Sequence, residues 1–367
     1  MKQQFKRGTA AVVAVAAAAA LSACGSAKSS GGSGSGSSSG AAVKIGLLLP
    51  ETKTARYEKF DKPYIEQFVT AACSACSVVY NNANQDPNTQ QQQVDSMLTN
   101  GVKVLILDAV DAKAIASSVT KAHNQGVKVV AYDRLADGPI DAYVSFDNIQ
   151  VGKLQGQALL DAIKTGGDPK RGNVVMINGS PTDPNAGDFK KGAHSVLDGQ
   201  VTIGKEYDTP DWSPDQANTE AAGAFTALGA SSIVGVYSAN DGMAAGISKA
   251  MSNAGVAKGT PLTGQDAQVD GIQRILLGTQ TMTIYKPIKP EAQYAAQMAV
   301  DLGQGKSVTG TTKVNNNTNQ GIPAQIITPI VVNKANIEST VIKDGFWTVG
   351  DICTADVAAA CTAAGIK

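Results

Sequence analysis

The sequence is poor in aromatic residues, has no excess of either charge and lacks a phosphate-binding glycine motif. Phe, Trp and Tyr make up 5% of the 367 residues. The 31 basic residues are balanced by 31 acidic ones, and this balance does not favour a nucleic-acid partner. Neither G-x-x-x-x-G-K-[S/T] nor G-x-G-x-x-G opens a predicted helix, which argues against nucleotide binding. Beyond the first 27 residues, no apolar run in the sequence is long enough to span a bilayer.

The first 42 residues are predicted to direct and tether the chain. The basic opening M-K-Q-Q-F-K-R is followed by a short Ala-rich apolar stretch, a pattern typical of a secretory signal peptide over residues 1–23. The segment L-S-A-C at 21–24 resembles a bacterial lipobox, in which Cys24 is lipidated and becomes the mature N-terminus. In residues 25–42, 14 of 18 positions are Gly or Ser, which predicts a flexible, lipid-anchored tether over 24–42. Without residues 1–23 the balance is 28 basic to 31 acidic residues.

The other four cysteines form two local pairs, Cys73 with Cys76 and Cys353 with Cys361. Because an extracytoplasmic compartment permits disulfides, two short structural bridges are the favoured interpretation. The C-S-A-C segment could instead be redox-active or half of a metal site. It lacks the Trp and Gly-Pro setting of thioredoxin-like motifs, and no His lies nearby to complete a zinc site.

From residue 43 onward, short apolar strands alternate with segments of helical periodicity. This alternation predicts right-handed crossovers and parallel sheets. It restarts after residue 147, so two doubly wound α/β lobes are expected. Ligands bind beyond the carboxyl ends of the strands in such sheets.

Charged and amide side chains follow many of the predicted strands. Asp133 and Arg134 come directly after the apolar run V-V-A-Y. A single Asp–Arg pair is more often a weak surface ion pair than a site, but the same character recurs at other strand ends and in two loops. The other positions are Arg56, Tyr57, Asp108, Asn185, Trp212, Asn240, Asp241, Gln265, Asp266 and Lys286.

This mixture of side chains suits sugar recognition. Each sugar hydroxyl both donates and accepts a hydrogen bond, while carboxylates accept, cationic groups donate and amides do both. Hydrogen bonds to charged groups are the stronger class. A flat ring such as that of Trp212 can cover the apolar C–H face of a pyranose.

The chain resembles the xylose-binding proteins of bacterial sugar ABC transporters, which are type I periplasmic binding proteins. The resemblance covers most of residues 43–345. It is carried by V-A-Y-D-R (130–134), V-S-F-D-N (144–148), N-G-S-P-T-D-P-N-A (178–186), S-A-N-D-G (238–242), G-Q-D-A (264–267), G-T-Q-T-M-T-I-Y-K-P (278–287) and V-I-K-D-G-F (341–346).

The resemblance implies two lobes with a sugar enclosed between them and three segments that cross from one lobe to the other. It implies crossings near 146–148, 285–287 and 326–330. The N-terminal lobe would comprise 43–147 plus about 287–325, and the C-terminal lobe 148–286 plus about 326–350. Residues 351–367 would be a disulfide-stapled C-terminal extension.

The resemblance also implies which side chains contact the ligand. They are Arg56, Tyr57, Asp133, Arg134, Asn185, Trp212, Asn240, Asp266 and Lys286. Two positions depart from the family pattern. Residue 57 is Tyr where xylose-binding relatives carry Trp, and Pro184 stands where an Asn precedes the ligand Asn.

The expected function is that of a non-catalytic, lipid-anchored, extracytoplasmic receptor. It would capture a monosaccharide, with D-xylose as first choice and glucose as the alternative, and deliver it to an ABC permease. It would act as a monomer without cofactor, metal or nucleic acid. A sugar hydrolase with Asp133 and Asp266 as acid and base remains a rival, because such enzymes also gather carboxylates around a sugar. A repressor of the lactose-repressor class would need a helix-turn-helix where this chain has a signal and a tether.

Overall fold

The computed structural model describes residues 41–367. The predicted signal peptide and Cys24 lie outside the described residues, as does the predicted tether apart from its last two residues. The strands are β1 Lys44–Leu49, β2 Ser77–Asn82, β3 Val104–Leu107, β4 Lys128–Tyr132, β5 Ala142–Phe146, β6 Asn173–Asn178, β7 Thr202–Asp208, β8 Ile233–Ser238, β9 Thr283–Tyr285, β10 Thr312–Val314, β11 Ile322–Ile327 and β12 Ile330–Val332.

Helices connect most of these strands. They are α1 Lys62–Ala72, α2 Pro87–Thr99, α3 Ala116–Asn124, α4 Asn148–Thr165, α5 Pro184–Leu197, α6 Pro214–Leu228, α7 Asp241–Ala254, α8 Val269–Leu277, α9 Ile288–Gly303, α10 Val349–Ile352 and α11 Ala358–Ala363. A π-helical turn, Tyr57–Asp61, leads directly into α1.

The larger sheet has seven strands in the order β10-β11-β5-β4-β3-β1-β2. All neighbours run parallel except β10 and β11, which are antiparallel. The central strands β1 and β3 are buried apolar runs, as expected when helices cover both faces of a parallel sheet. On one face, α1 and α9 pack against the sheet and complete an apolar core.

The second sheet contains three parallel strands in the order β7-β6-β8. Beside it, Leu262 forms an isolated parallel bridge with Val236 of β8. Beside this sheet, α4 and α5 pack backbone to backbone. A Cβ on Gly152 would lie 1.9 Å from the carbonyl oxygen of Phe189, so a side chain there would push the two helices apart.

The chain passes between the two sheets at three places. It leaves β5 for α4 at Phe146–Asn148, returns from β9 to α9 at 285–288, and crosses again between β11 and β12. β9 and β12 form a separate antiparallel pair beside the second and third passages. The mixed α/β fold with two lobes is therefore as predicted. We propose that the lobes divide at these passages, with the boundaries given above.

Two cysteine pairs lie at disulfide distance in the structure. The sulfur atoms of Cys73 and Cys76 are 2.06 Å apart at the end of α1, and those of Cys353 and Cys361 are 2.05 Å apart between α10 and α11. The C-terminal residues 351–367 pack on α8 through an apolar cluster that includes Ile352. Within residues 41–367, every helix is too short or too polar to cross a bilayer.

Candidate ligand-binding site

One cavity lies between the lobes, and all nine residues expected to contact a ligand line its wall. The structure thus brings together residues from seven separate segments of the chain. Their role as ligand contacts stays a prediction.

Five further residues line the cavity that were not among the predicted contacts. They are Glu51, Thr54, Asp183, Phe189 and Gln265. Phe189 follows Asn185 by four residues on α5, a spacing that places both on one helix face. Asp183 caps α5 by accepting a hydrogen bond from the Asn185 amide at 2.9 Å. An Asp just before a helix is so commonly a cap that its sequence position alone did not single it out as a site residue.

Asp133 lies at the tip of β4 in a left-handed backbone conformation, with φ 57°. Its amide donates to the carbonyl of Val144 at 2.8 Å, and its own carbonyl accepts from the hydroxyls of Tyr143 at 3.0 Å and Ser145 at 2.6 Å. This conformation is costly for a residue with a side chain and persists only where surrounding contacts enforce it. The neighbouring strand thereby fixes where the carboxylate points.

Arg56 connects the Asp133 carboxylate to two acidic groups behind the cavity. Its guanidinium lies 2.5 Å from the Asp133 carboxylate, 2.8 Å from that of Asp61 and 2.8 Å from that of Glu291. The Tyr132 hydroxyl also donates to Asp61. A planar guanidinium with several donors can hold three carboxylates at once, so Arg56 is oriented with little freedom.

Arg134 points to the other side of the same tip. Its guanidinium lies 2.9 Å from the Asp183 carboxylate and 3.4 Å from that of Asp108, and it donates to the carbonyl of Ala109 at 2.9 Å. It also donates to the Tyr57 hydroxyl at 3.3 Å. Because Asp183 and Arg134 lie in elements of opposite lobes, this ion pair spans the cleft.

Lys286 supplies the third buried cation, 3.0 Å from the carboxylate of Asp266 and 4.0 Å from that of Asp133. Asn185 completes the link between the lobes, donating at 3.0 Å to the Asp133 carboxylate. Asn240 accepts from the Met243 amide at 2.9 Å as the cap of α7, which orients its amide group at the cavity wall.

Trp212 and Phe189 form an aromatic wall, with ring centroids 6.3 Å apart in an edge-to-face arrangement. The indole N–H donates to Asp183 at 3.2 Å. The ring lies directly over Gly179, where a Cβ would fall 2.0 Å from the indole carbon Cη2. Asp211 and Trp212 both have left-handed backbone conformations, with φ 57° and 54°. The loop therefore places the ring in the cleft at a conformational cost.

Burial and charge act in opposite directions on the carboxyl groups. Burial alone would raise the pKa of Asp133, but the cations of Arg56, Lys286 and Arg134 lower that pKa to about 2. Burial raises the pKa of Asp183, against the opposing charge of Arg134. It raises the pKa of Glu291 well above its usual range, against that of Arg56. Of these three carboxyl groups, that of Asp133 is thus held most firmly in its charged form.

The arrangement supplies fixed, charged hydrogen-bonding groups in a cavity beside an aromatic wall. Such a site can bind a small polyhydroxylated molecule through many directional bonds. A general acid needs a raised pKa, and Asp133 has the opposite.

Comparison with known proteins agrees with this geometry. Residues 45–307 match the model of a family described as the periplasmic binding protein domain. The chain belongs to the periplasmic binding protein family. It is 38% identical over 310 residues to the D-xylose-binding periplasmic protein of Escherichia coli, and the alignment covers 83% of this chain and 91% of that relative. It is 35% identical over 312 residues to the D-xylose-binding periplasmic protein of Haemophilus influenzae, again covering 83% and 91%.

The solved structures include a carbohydrate transporter solute-binding protein from Chloroflexus aurantiacus in complex with D-glucose. It is 26% identical, covers 85% of this chain and 98% of its own, and superposes with a TM-score of 0.75. The resemblance stated from the sequence is confirmed by these relatives.

Proposed function

We propose that this protein is the sugar-binding receptor of an ABC transporter, and that it encloses one monosaccharide between its lobes. The observation that carries this proposal is the cavity lined by three buried cations, several carboxylates and an aromatic wall. Neutral sugars need many paired donors and acceptors, and they lack a charge that would demand a counter-ion. The relatives named for D-xylose binding support the same class of ligand.

D-xylose is the proposed ligand, and D-glucose is the alternative. Identity of 38% to a D-xylose-binding protein favours the pentose. The D-glucose complex of a 26% identical relative favours the hexose. Tyr57 lines the cavity at a position where the sequence resemblance implies a Trp, and its smaller ring would leave more room for a hexose. Forcing the exocyclic CH₂OH of glucose into a packed site would cost ~1–3 kcal/mol, so a cavity fitted to xylose should prefer it by about 5- to 150-fold.

Isothermal titration calorimetry with xylose, glucose, ribose, arabinose and xylitol tests the proposal. We expect one site per chain and tightest binding to xylose. Tighter binding of glucose would change the proposed sugar from xylose to glucose but would still support the proposal that the protein is a sugar receptor. Absence of binding to every sugar and polyol at millimolar concentration would contradict the receptor itself.

The protein is proposed to bind sugar without cleaving it. Both candidate catalytic carboxylates are engaged, Asp133 by Arg56 and Asp266 by Lys286. Release of nitrophenol from aryl xylosides or glucosides, lost in Asp133→Asn, would support the hydrolase instead.

The receptor is further proposed to act outside the cytoplasm as a monomer, held at the membrane by lipid on Cys24 and delivering sugar to a permease. Support comes from the L-S-A-C segment and the Gly/Ser-rich residues that follow it, and from the periplasmic relatives. Deletion of the gene should reduce uptake of radiolabelled xylose, and re-expression should restore it.

A further inference from the structure

The loop that places Asp266 in the cavity is conformationally strained. Asp266 and the next residue, Ala267, both have left-handed backbones, with φ 86° and 47°. Neither is glycine, so both pay the steric cost of a Cβ in this region. The Asp266 amide donates to the carbonyl of Ile284 at 2.8 Å, and the Ala267 amide donates to the Thr283 hydroxyl at 3.1 Å. These two bonds hold the loop from the β9 side.

A third bond holds the loop from the opposite side. The indole N–H of Trp347 donates to the Ala267 carbonyl at 2.7 Å, and both residues are buried. Trp347 follows Ala267 by 80 residues and precedes the Cys353–Cys361 pair by six residues in the sequence. It is absent from the cavity wall.

Trp347 also touches the element that carries two ligand-contact candidates of the other lobe. Its ring lies edge-on to Phe60, with centroids 5.2 Å apart, and Phe346 stacks on Phe60 at 4.2 Å. The Lys59 ammonium lies 4.0 Å from the centroid of the indole. Lys59 and Phe60 belong to the turn that begins with Tyr57 and directly follows Arg56.

Two contacts anchor the residues that follow Trp347. Thr348 begins α10 with a reciprocal cap, in which its side chain and that of Asp351 bond each other's backbone amides. Gln273 on α8 donates to the carbonyl of Ile352 at 2.9 Å, tying this segment to the helix that follows the Asp266 loop. The indole itself is buried, so it is a packed donor rather than a surface ring.

We propose that Trp347 is a positioning residue for sugar binding, which fixes the Asp266 carboxylate through the Ala267 carbonyl. It does not touch the sugar. Phe346 and Trp347 then serve the binding site, since both rings pack on Phe60 in the turn after Arg56 and Trp347 also bonds the loop of Asp266. This proposal rests on the proposed function only in the second test below, which measures sugar affinity.

The first test is hydrogen–deuterium exchange without sugar, comparing wild type with Trp347→Phe. Phe keeps a packed ring but leaves the Ala267 carbonyl without its donor, and buried groups that lose a partner destabilise their surroundings. We expect the amides of residues 264–268 to exchange about tenfold faster, while those of residues 130–135 at the Asp133 tip do not change. Trp212→Phe, the same chemical change on the cavity wall, is the matched control and should leave residues 264–268 at the wild-type rate.

The second test is a double-mutant cycle on xylose affinity with Trp347→Phe and Asp266→Asn. If Trp347 acts through Asp266, the Trp347 change should weaken binding about tenfold in wild type and less than twofold in the Asp266→Asn protein. Equal losses in both backgrounds would show a general structural role and overturn the inference, as would unchanged exchange at 264–268. Failure of wild type to bind any sugar would instead refute the proposed function, with the exchange result still deciding the role of Trp347.

Discussion

Replacement of Asp133 by Asn should weaken sugar binding and lower stability together, and the structure sets both magnitudes. The change keeps the shape of the side chain and removes its charge. The carboxylate is held 2.5 Å from Arg56, 3.0 Å from the Asn185 amide and 4.0 Å from Lys286. A hydrogen bond to a charged group contributes ~1.5–3 kcal/mol, so calorimetry should show xylose affinity reduced by about 10- to 100-fold.

The stability effect follows from the depressed pKa. The folded-state pKa is about 2 against a reference value of 3.8. A shift of this size contributes about 2 kcal/mol, which is fully present above the unfolded pKa and is lost as the pH falls toward the folded value. Arg56 keeps Asp61 and Glu291 as partners in the variant, which limits the cost. Urea unfolding at pH 7 should show Asp133→Asn less stable by about 2 kcal/mol, with a smaller difference near pH 3.

The control for both effects is Asp95→Asn, which makes the same chemical change at an exposed ion pair with Lys121. Exposed pairs contribute ~0–1 kcal/mol, so this variant should bind xylose like wild type and lose little stability. Sugar affinity of Asp133→Asn within twofold of wild type would refute the placement of the carboxylate at the ligand. A stability difference that stays constant from pH 7 to pH 3 would refute the electrostatic account.

Three other changes probe separate parts of the molecule. Trp212→Phe should abolish most of the fluorescence change on sugar binding and weaken affinity; a signal of wild-type size in the variant would place Trp212 away from the sugar. Gly179→Ala should displace the indole, because the new methyl would fall 2.0 Å from Cη2, and should lower affinity at least tenfold; unchanged binding and fluorescence would contradict this packing. Cys24→Ala should release the protein from the membrane fraction, and retention there would contradict the lipid anchor.

The sequence indicated residues that line the cavity where one local rule applied. Carboxyl ends of parallel strands meet at one edge of each sheet, and this rule singled out Asp133 in one lobe and Asp266 in the other. That the two residues face each other across one cleft was implied by the family resemblance. The rule does not identify residues that contact the site residues from the side away from the cavity. Glu291 contacts Arg56 across 235 positions of sequence. It lies in the first turn of α9, where an acidic residue is expected for the helix dipole alone.

Sequence patterns also do not reveal the contact between Trp347 and the loop of Asp266. Trp347 adjoins the Cys353–Cys361 staple in sequence, and that position indicates packing rather than a link to the site. Its hydrogen bond to Ala267 depends on how the chain returns over α8 after the third crossing between lobes. No local periodicity encodes such a contact.

The two lobes place their acidic groups at the cleft through the same left-handed backbone conformation. Asp133 follows β4 and Asp266 follows the Leu262 bridge, both with positive φ and both donating an amide hydrogen bond of 2.8 Å to a neighbouring strand, at Val144 and Ile284. Glycine would adopt this conformation without strain but would remove the carboxylate. Keeping Asp at both positions therefore costs stability in each lobe. Strain of this kind persists where the surrounding contacts enforce it and concentrates at binding sites, which here are the two strand tips that face each other across the cleft.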